Sequence, residues 1–158
     1  MVLIIMGVSG CGKTTIGKML SAKLNWKYFE GDEYHPPENI EKMKNGIPLD
    51  DSDRQPWLLT LRSIIQDSQD KKVNIILTCS SLKESYRKIL KINNEVKFVY
   101  LKGSYGLIEK RMNERKDHFM KPGMLKSQFD ALEEPTDAII VDIDNSLENI
   151  LIQILNKL

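Results

Sequence analysis

The chain has 158 residues, which suffices for one domain with a single core and leaves no room for a second. Hydrophobic residues at 41% and charged residues at 28% exclude a disordered or fibrous chain, and a net charge of +1 excludes nucleic-acid or membrane binding through bulk charge. Cys11 and Cys79 are too few for a disulfide framework and lack neighbours at zinc-ligand spacing, and no apolar run approaches about 20 residues, so a soluble cytoplasmic protein is expected.

Strand-like apolar runs alternate with helix-like segments, the pattern of a parallel sheet covered by helices on both faces. Strands are expected at 2–6, 27–30, 73–78, 96–101 and 138–142. All but the second are nearly continuous apolar runs, as for strands buried on both sides. The first is read as a buried strand rather than a leader peptide. It runs directly into Gly7-Val8-Ser9-Gly10-Cys11-Gly12-Lys13-Thr14, which satisfies G-x-x-x-x-G-K-[ST] where a strand gives way to a helix. Glycines there let successive N–H groups turn inward on phosphate oxygens, and the helix start adds partial positive charge. Lys13 is expected to reach the β- and γ-phosphates, and Thr14 to offer its hydroxyl to Mg²⁺. The helix that follows carries Ile16, Met19, Leu20 and Leu24 on one stripe.

Asp32 follows the second strand and so belongs to the same sheet edge as the phosphate loop. It serves either as acceptor of an attacking hydroxyl's proton and anchor of a metal-bound water, or as a turn or cap aspartate. Segment 31–53 is largely irregular, with a short helix expected at 38–45, where Ile40 and Met43 are three apart and Gly46 is a stop signal. Asp51 and Asp53 either orient Arg54 or cap the next helix, whose stripe is Trp57, Leu58, Leu61, Ile64 and Ile65; Trp57 is read as core. Strand 73–78 ends in Thr78-Cys79-Ser80-Ser81, without the usual aspartate, so a carboxylate from elsewhere must support the metal. No N-K-x-D guanine motif occurs, which argues against a GTPase.

On the helix expected after Ser104, Arg111 and Arg115 are four apart and share a face, next to a basic segment at 116–123. These cations either close over ATP and neutralise the transferring phosphoryl group or form a solvated basic helix end. A further helix from Pro122 places Met124, Leu125, Gln128, Phe129 and Leu132 on one face, with Gln128 as a polar contact. Leu147, Ile150, Leu151, Ile154 and Leu155 are core at the carboxyl end.

The run from Gly31-Asp32-Glu33-Tyr34-His35-Pro36 through Asn39-Ile40-Glu41-Lys42-Met43, Gly46-Ile47-Pro48-Leu49-Asp50-Asp51-Ser52-Asp53-Arg54 and Pro56-Trp57-Leu58 resembles the gluconokinase family. That family carries G-D-x-x-H-P, N-I-x-K-M, G-x-P-L-x-D-x-D-R and P-W-L in the same order. Cys79-Ser80-Ser81-Leu82-Lys83, Tyr86-Arg87, Tyr100-Leu101-Lys102-Gly103, Arg115-Lys116-Asp117-His118-Phe119 and Val141-Asp142-Ile143-Asp144 continue the likeness over nearly the whole chain. The resemblance implies a three-layer α/β P-loop kinase fold with a five-stranded parallel sheet and a mobile lid at about 116–123. It implies transfer of the γ-phosphoryl group of ATP to D-gluconate with Mg²⁺, and it is compatible with a homodimer. It places the phosphate cradle on Gly7 through Thr15, including Ser9, Gly10, Cys11, Gly12 and Thr15, with Arg111 and Arg115 above it. The acceptor falls to Asp32, His35, Arg54, Lys83, Arg87, His118 and Gln128.

A sugar acid presents one carboxylate and a row of hydroxyls, so its pocket needs cations plus neutral hydrogen-bonding groups. Arg54 and Arg87 are the expected carboxylate clamps, Arg54 having as its alternative a surface pairing with Asp51 or Asp53. His35 is either a hydroxyl-binding group or a satisfied turn histidine. Kinases of other small acids such as shikimate share the fold, but segment 35–57 resembles gluconokinases alone. An inactive nucleotide-binding regulatory module is the other alternative, opposed by intact Lys13, Thr14, Asp32 and Arg54. Cys11 stands where the family usually has serine or another small residue, and its place at a helix start is expected to lower the thiol pKa and expose it to alkylation. Ser81 replaces a common alanine.

Overall fold

The computed structural model describes residues 1–114 and 122–158. Five parallel strands form one sheet in the order β2-β3-β1-β4-β5. They are β1 (Val2–Met6), β2 (Lys27–Glu30), β3 (Ile75–Thr78), β4 (Val96–Lys102) and β5 (Ile139–Asp142). All five side chains of β1 are fully buried, since the strand lies between β3 and β4 with helices above and below. Each such side chain contributes about 1.5–3 kcal/mol relative to an exposed one.

Strand alternation divides the core in two. Leu3, Ile5, Ile76, Val99 and Leu101 face α1 (Lys13–Leu24), α5 (Tyr105–Glu114) and α7 (Leu147–Leu155), meeting Ile16, Leu20, Ile108, Ile150 and Ile154. Val2, Ile4, Met6, Leu77 and Phe98 point the other way, onto Trp57, Leu58, Leu61 and Ile65 of α3 (Asp51–Asp70) and Tyr86 and Leu90 of α4 (Glu84–Leu90). The expectation of cover on both faces fails for β5. It is an edge strand, and Ile140 is 42% exposed. The α7 stripe packs on one side only.

Chain 31–50 holds a short 3-10 turn at Gly31–Tyr34 and then α2 (Pro37–Lys44), close to the helix expected there. Gly31 is required by close approach: a Cβ at that position would stand 2.0 Å from the main-chain oxygen of Thr78. Helix α3 begins before Arg54, earlier than its apolar stripe suggests. Asp50 accepts from the Asp53 amide at 2.7 Å and Asp53 accepts from the Asp50 amide at 3.0 Å, a reciprocal cap that secures the first turn ahead of Pro56. The last helix of the described chain before β5 is α6 (Pro122–Ala131). Among the described residues, no helix is long and apolar enough to cross a membrane.

Candidate active site

A cavity of about 980 Å³ opens at the carboxyl edge of the sheet, near the upper end of the range for ligand sites. Ser9 to Thr15 form its floor, Asp32, His35 and Arg54 one wall, and Arg111 and Gln128 another. The loop enters α1 through Gly12, whose φ of 101° is left-handed, and no side chain caps the helix. The first-turn amides are therefore open to an anion. Lys13 Nζ donates to the main-chain oxygens of Gly7 and Val8, each at 3.0 Å, which holds the ammonium over the loop.

Besides Asp32, the carboxylate read from the sequence as a metal anchor, the structure brings a second one, Glu30 at the end of β2, to the phosphate loop. Thr14 Oγ1 donates to Glu30 Oε2 at 2.8 Å, Thr78 Oγ1 donates to Glu30 Oε1 at 2.9 Å, and the Tyr28 hydroxyl also donates to Oε2. Thr78, at the strand tip where the aspartate is missing, thus orients a carboxylate from the neighbouring strand. Desolvation, reinforced by the bond to Glu30, pushes the Tyr28 phenol up to about 12, so it stays a neutral donor. The only sequence signal for Glu30 is its place as the last strand residue before Gly31 and Asp32. Thr14 and Glu30 together offer hard oxygen donors at the mouth of the phosphate loop, a donor set that fits Mg²⁺ completed by phosphates and water.

Asp32 is exposed to solvent at the cavity wall, with neighbouring groups crowding its carboxyl. Loss of hydration pushes its carboxyl above the usual range, opposed by the Lys13 ammonium and assisted by repulsion from Glu30. It lines the cavity together with the phosphate loop.

Arg54 makes no ion pair among the described residues. Its Nη1 donates to the Tyr86 hydroxyl at 3.0 Å, and its guanidinium lies 5.3 Å from that ring's centre. The two aspartates beside it are engaged elsewhere. Asp53 pairs with Lys42 at 2.9 Å, and Asp51 accepts from Lys83 at 2.9 Å and from the Tyr86 hydroxyl. Lys83 does not line the cavity; it reaches Arg54 only through Asp51 and Tyr86. His35 lines the cavity while stacking on Trp57 at 4.0 Å.

Other expected residues are placed differently. Arg87 is buried, and its guanidinium donates to the main-chain oxygens of Ser81, Leu82 and Glu133 at 2.8, 3.1 and 2.9 Å. It borders a separate hollow of about 340 Å³ beside Glu133 and Asp137, so the structure does not bring it to the acceptor wall. Gln128 grips the phosphate loop: its Oε1 accepts from the Ser9 amide at 2.7 Å, and its Nε2 donates to Ser9 Oγ at 2.9 Å. Arg111 lines the cavity and donates to the Ile143 main-chain oxygen at 2.9 Å. Arg115, His118 and most of the expected lid lie outside the described residues. The reactivity expected of Cys11 is corrected: the thiol is buried, and burial raises its pKa despite the attraction of Lys13.

A family model described as shikimate kinase matches residues 9–158. The chain is 45% identical over 152 residues to the thermosensitive gluconokinase of Escherichia coli (strain K12), covering 93% of this chain and 81% of that protein. The chain belongs to the gluconokinase family. A crystal structure of a gluconokinase from Sinorhizobium meliloti 1021 superposes with a TM-score of 0.87 at 36% identity, covering 98% of this chain and 89% of that one. An unliganded sugar kinase from Janibacter sp. HTCC2649 superposes at 0.92 with 39% identity, covering 98% and 92%. The three-layer fold read from the sequence is that of P-loop kinases.

Proposed function

We propose that this chain transfers the γ-phosphoryl group of ATP to a hydroxyl of D-gluconate, giving ADP and 6-phospho-D-gluconate. The observation that carries the reading is one continuous cavity in which an open helix start with Lys13 faces Asp32, His35 and an Arg54 with no carboxylate partner among the described residues. The first element suits a polyphosphate and the second a polyol with one negative charge.

In this reading the loop amides and Lys13 stabilise charge on the transferring group. Asp32 accepts the proton of the attacking hydroxyl, and its raised pKa makes it a stronger base than a solvated aspartate. Arg54 binds the gluconate carboxylate, with Tyr86, Asp51 and Lys83 holding the guanidinium in place. Ile40 and Met43 of α2 give the acceptor an apolar backing, while Ile143, Leu147 and Ile150 offer a slot for the nucleotide base beside Arg111. Thr14 and Glu30 would hold Mg²⁺, which supplies charge neutralisation across the β- and γ-phosphates. Gln128 keeps Ser9 in the loop's working shape. We assign His118 to a closing segment at about 116–123 of a single domain, and Arg115, which precedes that segment, to the same enclosure.

The test is ADP release measured with gluconate, shikimate, glycerate and nucleoside monophosphates as acceptors. Turnover with gluconate well above the others is expected. Turnover with shikimate or a nucleoside monophosphate in its place would overturn the assignment.

A further inference from the structure

The position of the His35 proton follows from its neighbours. Asn39 Nδ2 lies 2.8 Å from the main-chain oxygen of Asp53. A carbonyl oxygen only accepts, so the Asn39 atom facing it is the amide nitrogen. The same nitrogen stands 3.1 Å from His35 Nδ1. Because this nitrogen has two hydrogens and no lone pair to offer, Nδ1 must be the acceptor and carries no proton. The proton of the neutral ring therefore sits on Nε2.

The ring is also fixed in space. It stacks on Trp57 with 16° between the planes, and Trp57 Nε1 donates to the Gly31 main-chain oxygen at 2.8 Å, next to Asp32. Burial and the Arg54 guanidinium push the imidazole down to about 4, so it is uncharged near neutrality. Asn39 is itself buried, leaving it no solvent alternative to these two bonds. Nε2 has no partner among the described residues, and the ring borders the cavity between Asp32 and Arg54.

We propose that Asn39 is a positioning residue that locks His35 as the Nε2–H tautomer, so that His35 meets the acceptor as a hydrogen-bond donor to one of its oxygen atoms. The proposal rests on reading the cavity as a sugar-acid site and adds to that reading the direction of one hydrogen bond. A ring restricted to donating selects an oxygen lone pair next to the group held by Arg54. It gives no purchase to an ammonium group at the same place, which has only hydrogens to offer.

Nitrogen NMR of the ¹⁵N-labelled full chain reads the tautomer directly, with His35→Gln identifying the resonances by their loss. The expected spectrum of the free protein has Nδ1 unprotonated and Nε2 protonated, and saturating D-gluconate moves the Nε2 signal. A wild-type ring protonated on Nδ1, or an Nε2 signal indifferent to gluconate at concentrations that saturate turnover, overturns the proposal. Asn39→Asp sets a carboxylate against Nδ1 and should draw the proton there. The KM for gluconate should then rise about tenfold while the KM for ATP stays put. An Asn39→Asp protein that keeps the wild-type tautomer and KM overturns the role of Asn39. The wild-type spectrum decides even if that variant does not fold. The tautomer is read without turnover, so a wrong acceptor assignment would appear in the ADP assay and leave this spectrum unchanged.

Discussion

On the phosphate side of the cavity, the groups aimed at the ligand come from consecutive residues, Ser9 to Thr15, and most of them are main-chain amides at a helix start. On the acceptor side, Arg54 and His35 are each held by other side chains. Arg54 leans on Tyr86, which is 32 residues away, and His35 leans on Asn39 and Trp57. A backbone cradle needs only the right local turns and is indifferent to most substitutions around it. A relay of side chains is specific in geometry but loosens when any member is lost. The first design suits a ligand shared by many kinases, and the second suits the acceptor that distinguishes one kinase from another.

The largest effects should come from the few side chains on which the phosphate wall does depend. Lys13→Met should lower kcat roughly a thousandfold with the fold intact by circular dichroism. Glu30→Gln should lower activity on the order of a hundredfold and raise the Mg²⁺ concentration needed for half-maximal rate. A Glu30→Gln enzyme with unaltered Mg²⁺ dependence would remove Glu30 from the metal site. The acceptor wall should respond in KM. Arg54→Leu removes a charge-assisted contact of about 2 kcal/mol, so the KM for gluconate should rise close to thirtyfold while the KM for ATP is unchanged. Tyr86→Phe should give a weaker change of the same kind, because it loosens the guanidinium without deleting it.

The same contrast explains what the sequence discloses. The phosphate loop, the central strands and the helix stripes are visible because each is written in adjacent or regularly spaced residues. Glu30 is hidden because its meaning depends on β2 lying beside β3, which brings it to Thr14 and Thr78 at once. Gln128 reads as an acceptor contact until the fold brings it to Ser9, 119 residues earlier. Arg87 resembles a ligand-binding cation by residue type, yet three main-chain carbonyls take up its guanidinium. The resemblance at 31–58 names Asp32, His35 and Arg54, which line one cavity, but which of its residues would touch a ligand and which hold those that do is a tertiary question. Cys11 shows the reverse error, in which a local rule about helix starts is overridden by burial.

The acceptor relay also has a pH signature. His35 is held near 4 in the fold against an ordinary value of 6.5, by burial first and by Arg54 second. Unfolding therefore takes up a proton at any pH between those values. The stability that neutral His35 supports is complete above about 6.5 and is lost as the pH falls toward 4. Urea denaturation at pH 7 and pH 5 should show the wild type losing on the order of 1–2 kcal/mol more than His35→Gln. Asp51 and Asp53 have lowered pKa values, chiefly through bonds from Tyr86 and Lys42 respectively, so their losses fall below the usual aspartate range, and the comparison with His35→Gln cancels the raised Asp32 common to both proteins. Equal losses in the two proteins would show that His35 is not shielded from water in the way its burial implies.

The smallest effect is expected where β3 ends, between the two walls. Ser81 adopts a left-handed φ of 46°, and its hydroxyl is buried without a hydrogen-bond partner among the described residues. The Cys79 thiol lies close to it, but a thiol is too weak a partner to replace the water the hydroxyl gave up. Its neighbour Ser80 faces the cavity, whereas Ser81 does not, so substituting Ser81 should leave the kinetics unaltered. Ser81→Ala removes the orphaned hydroxyl and should stabilise the protein by up to about 1 kcal/mol. Ser81→Gly removes the same group and also relieves the left-handed backbone, but it adds freedom to the unfolded chain, so its net change should be close to that of alanine. Thermal midpoints of the two variants measure this directly. A lower midpoint for Ser81→Ala would mean that the hydroxyl is satisfied after all and that the strand tip is held by a bond to Cys79.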